Sequence, residues 1–412
     1  MTGEQLRAIG PALTGFLSQF ERFFENPEGV VHLRNYTRGL LSDLERKTAE
    51  PLALHAGVPP RNVQQFLKAC VWDDHGLVDA VQQRVLAAAA AAPDDGLGTV
   101  AVIDETSAVK KGDKTPGVQR QYLGCVGKVE NGIVTVHLAA VRGRFKALLD
   151  GELFLPKSWA DDRARCDAAD IPKGMRHRPK WRIAFELFGR ADKNGWRFAW
   201  MTFDEGYGGK PKFLKLLDLC GQQYVGEVPK TFSCRLGGDA KKSSAEAVFS
   251  RPGVAARKAK AFAMTRQTGP ATVWQAKAVD VCLGDEIRPG HQLIKARNRE
   301  TGEVKYVIAR ANKRTGLRVL LRVGFTRWHV EHLFRVAKDE VGLTHFEGRS
   351  YASLKRHMAL CLTAMAFVSL HTMRLREKKP GGDLGTSLPG APAARPEILG
   401  PAPPHGRDAV PA

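Results

Sequence analysis

Apolar residues recur at helical spacing through the first ninety-odd positions, as in "LTGFLSQFERFF" and "RGLLSDLERK", so residues 1–95 are expected to form an all-helical domain. Near Leu97 the pattern changes. "TVAVID" is a short, continuous apolar run with β-branched residues, the mark of a buried strand, and Asp104 is placed at its end. In "QRQYLGCVGKVENGIVTVHLAAV", Asn131-Gly132 stands between two apolar runs and reads as a hairpin turn, which implies three antiparallel strands here. A helix is expected from about Pro179 through "KWRIAFELFGRA", followed by the strand "RFAWMTF", which Asp204 and "EGYGG" end. The helix "KFLKLLDLC" and the strand "QQYVGEV" complete this part, 96–228.

Residues 229–315 are less regular and basic, with strand-like pieces such as "ATVWQAKAVDV" and a hairpin in "HQLIKARNRETGEVKYVIAR", so a mainly β insertion is expected. Helical periodicity returns over 316–376. The stretch 377–412, rich in Pro, Gly and Ala, has too few large apolar residues to order itself and reads as a disordered tail. The fold class is α/β, a mixed sheet with flanking helices, and no internal repeat is evident.

Charge adds a partner to this picture. The 412 residues, enough for two or three domains, carry 63 Lys and Arg against 43 Asp and Glu, a formal charge of +20 that attracts a polyanion, nucleic acid first. The seven cysteines are dispersed, without a C-x-x-C pair or zinc-finger spacing, as suits a reduced compartment. A signal-peptide pattern is lacking and no run approaches the roughly 18 apolar residues of a membrane span. The expected location is the cytoplasm, with no membrane partner.

Within the helical region, "EPLALHAGVPPRNVQQFLKACVW" has a short helix ending near Gly57, a turn at Pro59 and Pro60, and a second helix with Arg61, Asn62, Gln64, Gln65 and Lys68 on its polar positions. That is the layout of a helix-turn-helix, whose second helix offers donors and acceptors to base edges. A plain helical hairpin with a polar outer face has the same pattern, and the sequence does not decide between them.

In "RWHVEHLFRVAK", 327–338, a continuous helix would bring Arg327, Glu331 and Lys338 within about 40° of one another, beside a stripe of Val330, Leu333, Phe334, Ala337 and Val341. Glu331 then borders the buried stripe, where it can face a cleft. Asp104 and Asp204, each ending an apolar strand, supply two further carboxylates. Three carboxylates from two strands and a helix suit magnesium, which takes oxygen ligands and keeps waters at its remaining positions. Two such ions can serve the attacking and leaving oxygens of a phosphodiester. His329 and His332 flank Glu331 without forming H-E-x-x-H, and Glu105 and Glu205 follow the aspartates but should point to the opposite face.

These stretches resemble a DDE transposase of a bacterial insertion sequence on an RNase H-like core, nearest the insertion-sequence 701 type and related to the insertion-sequence 4 type. The signature of the latter is Tyr, two residues, Arg, three residues, Glu, six residues, Lys. Arg327, Glu331 and Lys338 match it in register, whereas the Tyr position is Gly324. "VIDET", "KKGDKTPGVQRQYLGCVGKVENG", "LFLPKSWADD", "FDEGYG" and "GLTHFEGRSYASLKRHMAL" add to the resemblance, in order, over about 40–370. From Asp204 to Glu331 is 127 positions, room for the β insertion that such relatives carry.

The resemblance implies an endonuclease and transposase that binds terminal inverted repeats of double-stranded DNA. It would cut with two Mg²⁺ ions, replaceable by Mn²⁺, on Asp104, Asp204 and Glu331, join the 3′-hydroxyl to target DNA, and act as a homodimer on DNA. Arg327 and Lys338 would hold phosphates near the metals, and Lys110, Lys111, Arg120, Arg349, Arg356 and His357 suit phosphate contacts that position DNA. Two rivals are a structure-selective nuclease without joining activity and a non-catalytic DNA-binding derivative. Trp274 and Trp328 are left without a role.

Overall fold

The computed structural model describes residues 7–237, 239, 241–264, 271–284, 290–312 and 314–378. Its centre is a mixed sheet. Strands β1 (Val100–Val109), β3 (Lys128–Arg142) and β4 (Phe145–Leu153) run antiparallel, with β3 between the other two, while β5 (Trp200–Phe203) and β6 (Tyr224–Val228) lie parallel to β1 on its other side. This β4-β3-β1-β5-β6 order, with helices packed around it, is the RNase H-like arrangement. Val100, Ala101, Val102 and Ile103 are all buried, because a strand with neighbours on both sides and helices on its faces needs a continuous apolar run rather than alternation.

The hairpin expected at Asn131-Gly132 is not there. Both residues lie inside β3, and the chain turns instead at 124–127, between β2 (Gln119–Leu123) and β3. Gly132 is paired on one side with Val109 and on the other with Gln119, and a Cβ there would sit 2.3 Å from the Ala108 carbonyl oxygen. The Asn131 amide nitrogen donates to the carbonyls of Lys110 and Gly112, at 2.7 and 2.8 Å. The dipeptide thus serves a close strand crossing, which local sequence cannot distinguish from a turn. Asp104 is likewise not at a strand end: it lies mid-strand, opposite His137 on β3.

The region 229–315 contributes strands to this same sheet. β12 (Val304–Arg310) pairs antiparallel with β6, and β11 (His291–Asn298) and β10 (Thr272–Cys282) follow outward. β7 (Ser233–Leu236) and β9 (Lys260–Met264) pair with β10, and β7 carries the two-residue strand β8 (Ser243–Ser244). The edge of β6 is thereby covered, which removes a row of unpaired backbone groups from solvent.

Two of the first helices form as read, but "RGLLSDLERK" does not: helix Pro27–Leu40 ends within it, and the chain then runs without helix to 48, with Lys47 Nζ donating to the Leu40 and Ser42 carbonyls. Ala49–His55 ends at Gly57, whose φ of +68° is one that glycine adopts without strain, and Pro60–Lys68 begins with proline in its first turn. Helix Asp74–Ala91 starts at the Asp73 cap, which accepts from Gly76 N–H at 2.8 Å. It packs with the long helix Tyr351–Lys378 against β4. Among the described residues Tyr351–Leu375 is the one helical segment long and apolar enough to cross a membrane, and most of it is buried in the protein core. The helix reaches Lys378, just past the expected start of the tail at 377; residues 379–412 lie outside the described residues.

The continuous helix expected over 327–338 is Trp328–Arg335 followed by a π-helical turn, Val336–Glu340, with Leu317–Phe325 a separate helix before it. A π turn takes more residues per revolution than an α turn, so the angular alignment of Lys338 with Arg327 and Glu331 does not carry through.

Candidate active site

Val102 on β1 pairs with Thr202 on β5, and Thr202 pairs with Val225 on β6. Asp104, Asp204 and Glu227 each lie two residues beyond that row, so three acidic residues stand at one level at the carboxyl edge of the parallel pairing of β1, β5 and β6, although β1 itself runs on to Val109. In open sheets with parallel strands this edge is where ligands bind. Asp204 has left its strand and caps Glu205–Gly208, its Oδ1 accepting from Tyr207 N–H at 3.3 Å. A Cβ on Gly206 would lie 3.1 Å from that same oxygen.

Asp104 is mostly buried, its Oδ1 accepting from Glu105 N–H at 2.8 Å. Burial pushes its carboxyl up to about 6, with Asp204 adding repulsion and Arg327 opposing the rise. Arg327 lies among the acids: Nη1 is 3.4 Å from Asp104 Oδ2 and 3.9 Å from Glu331 Oε1, and Nη2 is 3.5 Å from Glu227 Oε1. Burial alone would lower its pKa, but the surrounding acids, Asp104 first and then Glu227, Asp204 and Glu331, raise it above the ordinary value.

Glu331 sits at the rim, its side chain 64% exposed and 3.9 Å from Arg327. Asp104 and Asp204 thus stand on neighbouring strands at one level, while Glu331 shares the Arg327 Nη1 with Asp104 from the exposed side. Asp104 and Asp204 fit a hard dication: they are oxygen donors whose repulsion a cation relieves, and magnesium needs few protein carboxylates. Among the described residues no group of three or more His, Cys, Asp or Glu is gathered to hold a metal. Lys338 is half-buried and joins none of the three carboxylates by an ion pair among the described residues.

The sequence reading missed Glu227 and Lys305. Lys305 Nζ donates to both Glu227 oxygens, at 2.9 and 2.8 Å. Glu227 faces Val307 across β6 and β12, which puts Lys305 two residues along on the same side, within reach of a long side chain. An acidic residue near the end of the third parallel strand was the available signal. Of the alternates, Glu105 turns to Lys180 at 2.6 Å, and Glu205 is exposed.

Several expected phosphate contacts are occupied elsewhere. Lys110 Nζ donates to the carbonyls of Thr344 and Phe346, and burial brings its pKa down to about 8. Arg356 donates to the Leu67 and Trp72 carbonyls, at 3.2 and 3.5 Å, and lies over the Trp72 ring. His357 is fully buried between Tyr36 OH, 2.8 Å from Nδ1, and the Gly342 carbonyl, 3.1 Å from Nε2. These three fasten the fold. Their partners are far away in sequence, so charge alone could not reveal them.

Lys111 and Arg349 are exposed, and Arg120 is exposed 3.9 Å from Glu130. On helix Pro60–Lys68, Val63, Phe66 and Leu67 are buried while Arg61, Asn62, Gln64, Gln65 and Lys68 face outward, Lys68 lying 3.5 Å from Asp170. Trp274 is fully buried, and Trp328 stacks on Phe325 at 4.3 Å between ring centroids.

A DDE superfamily endonuclease model matches residues 19–281, more than half of the chain and including Asp104, Asp204 and Glu227 but not Arg327 or Glu331. Over 189 residues the chain is 32% identical to a probable transposase for insertion sequence element IS701 from Microchaete diplosiphon. That stretch is 45% of this chain and 46% of the relative, so the match spans about half the length of each. With the sheet order and the paired aspartates, these similarities place the chain in the DDE superfamily endonuclease family.

Proposed function

We propose that this protein is a transposase that binds the terminal inverted repeats of its own element, cuts DNA there, and joins the freed 3′-hydroxyl to a target strand. The observation that carries the reading is the row of Asp104 and Asp204 at one level, just past the parallel pairing of β1 with β5, with Arg327 beside them. Family membership and the charge of +20 point the same way. Asp104 and Asp204 would hold Mg²⁺, with Glu331 joining them when the Trp328–Arg335 helix shifts inward on DNA. The ions would supply Lewis-acid activation of the attacking oxygen and stabilisation of the leaving one.

The chain's own residues do the rest. Arg327 would turn a guanidinium toward the negative charge developing on the reacting phosphate, in a setting where little water screens it. Arg61, Asn62, Gln65 and Lys68 would reach DNA from the outward face of their helix, with Lys111, Arg120 and Arg349 adding phosphate contacts that fix its position. Lys338 is left to this outer set. Two copies acting together on paired ends, in the cytoplasm at the nucleoid, complete the reading.

The exposed position of Glu331 favours a second reading, a DNA-binding protein of the same descent without cleavage activity. A strand-cleavage and joining assay on DNA carrying the element's ends, with Mg²⁺ or Mn²⁺ added or chelated, decides between them. Metal-dependent nicking followed by joining is expected. Nicking without joining would leave a nuclease, and salt-sensitive binding alone would leave the second reading.

A further inference from the structure

Arg327 has carboxylates at similar distances on two sides. Nη1 lies 3.4 Å from Asp104, to which it donates, and 3.9 Å from Glu331, Nη2 lies 3.5 Å from Glu227, and the buried Nε has no hydrogen-bond partner among the described residues. On the other side stands Glu227, which does not move freely: Lys305 grips both its oxygens, at 2.9 and 2.8 Å, and both side chains are largely buried. A guanidinium is a rigid planar fork, so a single fixed carboxylate on one edge suffices to orient the remaining donors. Lys305 comes from β12, a strand of the β region that lengthens the sheet.

We propose that Glu227, immobilised by Lys305, is a positioning residue that keeps Arg327 at the acidic site when the oxygens of Asp104 turn to a cation. Arg327 Nη1 and Nε then face a phosphate. The inference rests on the phosphodiester chemistry proposed above, and it makes the β12 strand part of the machinery that aims Arg327. Glu227 itself, with both oxygens taken by Lys305, is not a metal ligand on this account.

The test compares the full-length protein with Glu227→Gln and with the double variant Glu227→Met, Lys305→Met, which removes both charges and keeps apolar bulk. Cleavage of end-bearing DNA should fall by about 10²-fold in both, in kcat rather than KM, as expected for a displaced catalytic group. The Mn²⁺ concentration giving half-maximal rate should stay unchanged. Recovery of cleavage in the double variant would show a merely structural ion pair and overturn the proposal. A rise in the Mn²⁺ requirement of Glu227→Gln would also overturn it, by making Glu227 a ligand. Crystal structures with Mn²⁺ provide a readout independent of turnover: Arg327 should stay beside Glu227 in the parent and leave in Glu227→Gln. An unmoved Arg327 sinks the inference even where the parent cleaves nothing, whereas absence of Mn²⁺ at Asp104 and Asp204 with a displaced Arg327 sinks only the proposed reaction.

Discussion

Asp104 and Asp204 stand at the same level of the sheet, each two residues beyond the paired Val102 and Thr202, although 100 positions separate them in sequence. Like charges so placed repel, and the arrangement is favourable when a cation lies between them. Asp104→Asn and Asp204→Asn should each abolish cleavage while leaving DNA affinity within about twofold, because neither residue belongs to the outward helix face proposed to meet the duplex. Comparing single-turnover cleavage with filter binding checks this.

The same burial has a consequence for stability. The folded Asp104 carboxyl lies near 6, above its unfolded value of 3.8, so the fold favours the protonated form. Its contribution is fully present below about pH 4 and is lost as pH rises through about 6, on the order of 3 kcal/mol in all. Asp104→Asn should therefore match the parent in stability at pH 4 and exceed it at pH 7 in metal-free buffer. Buried His137 and His357, both held near 4, have the opposite sign and lose stability as pH falls from about 6.5 to 4. The difference between parent and variant, measured by thermal unfolding at both pH values, cancels them.

Gly226 sets the floor of the site. A Cβ there would lie 1.9 Å from the Phe203 ring, directly before Asp204. Gly226→Ala should destabilise the protein by about 1–3 kcal/mol through overpacking and displace Asp204 with Phe203, so that cleavage is lost. Gly189→Ala is the control. That glycine is within helix Lys180–Lys193 with open space around its missing Cβ, and the change should stabilise by roughly 0.5–1 kcal/mol.

Adjacent lysines should behave differently. Lys110→Ala leaves the Thr344 and Phe346 carbonyls without their donor and should lower stability by about 1–3 kcal/mol, whereas exposed Lys111→Ala should leave it unchanged. If Lys111 contacts a phosphate, its loss lowers the slope of log affinity against log salt by about 0.9. Melting curves and a salt titration of DNA binding separate the two.

On helix Pro60–Lys68, Asn62→Ala and Gln65→Ala should cost about 1–3 kcal/mol of preference for the repeat over unrelated DNA at unchanged salt slope. Arg61→Ala and Lys68→Ala should weaken both DNAs alike and reduce the slope. Uniform weakening by all four would make the element a helical hairpin that meets only the backbone.

Local physics was enough for many of the elements. Continuous apolar runs marked β1 and β5, helical periodicity marked Lys180–Lys193 and Tyr351–Lys378, and proline with glycine marked the turn between the Ala49–His55 and Pro60–Lys68 helices. These signals survive in the linear chain because a few neighbouring residues generate them. Tertiary structure alone decided what needs partners distant in sequence. Asn131-Gly132 reads as a turn until β1 and β2 both press on β3, and Lys110, Arg356 and His357 read as free charges until carbonyls from other segments meet them. Glu227 and Lys305 are unremarkable until strand register sets them beside each other and Arg327, and Glu331, which fits its motif in sequence, stands at the rim because exposure is set by how the Trp328–Arg335 helix packs on the sheet, which its own residues do not fix.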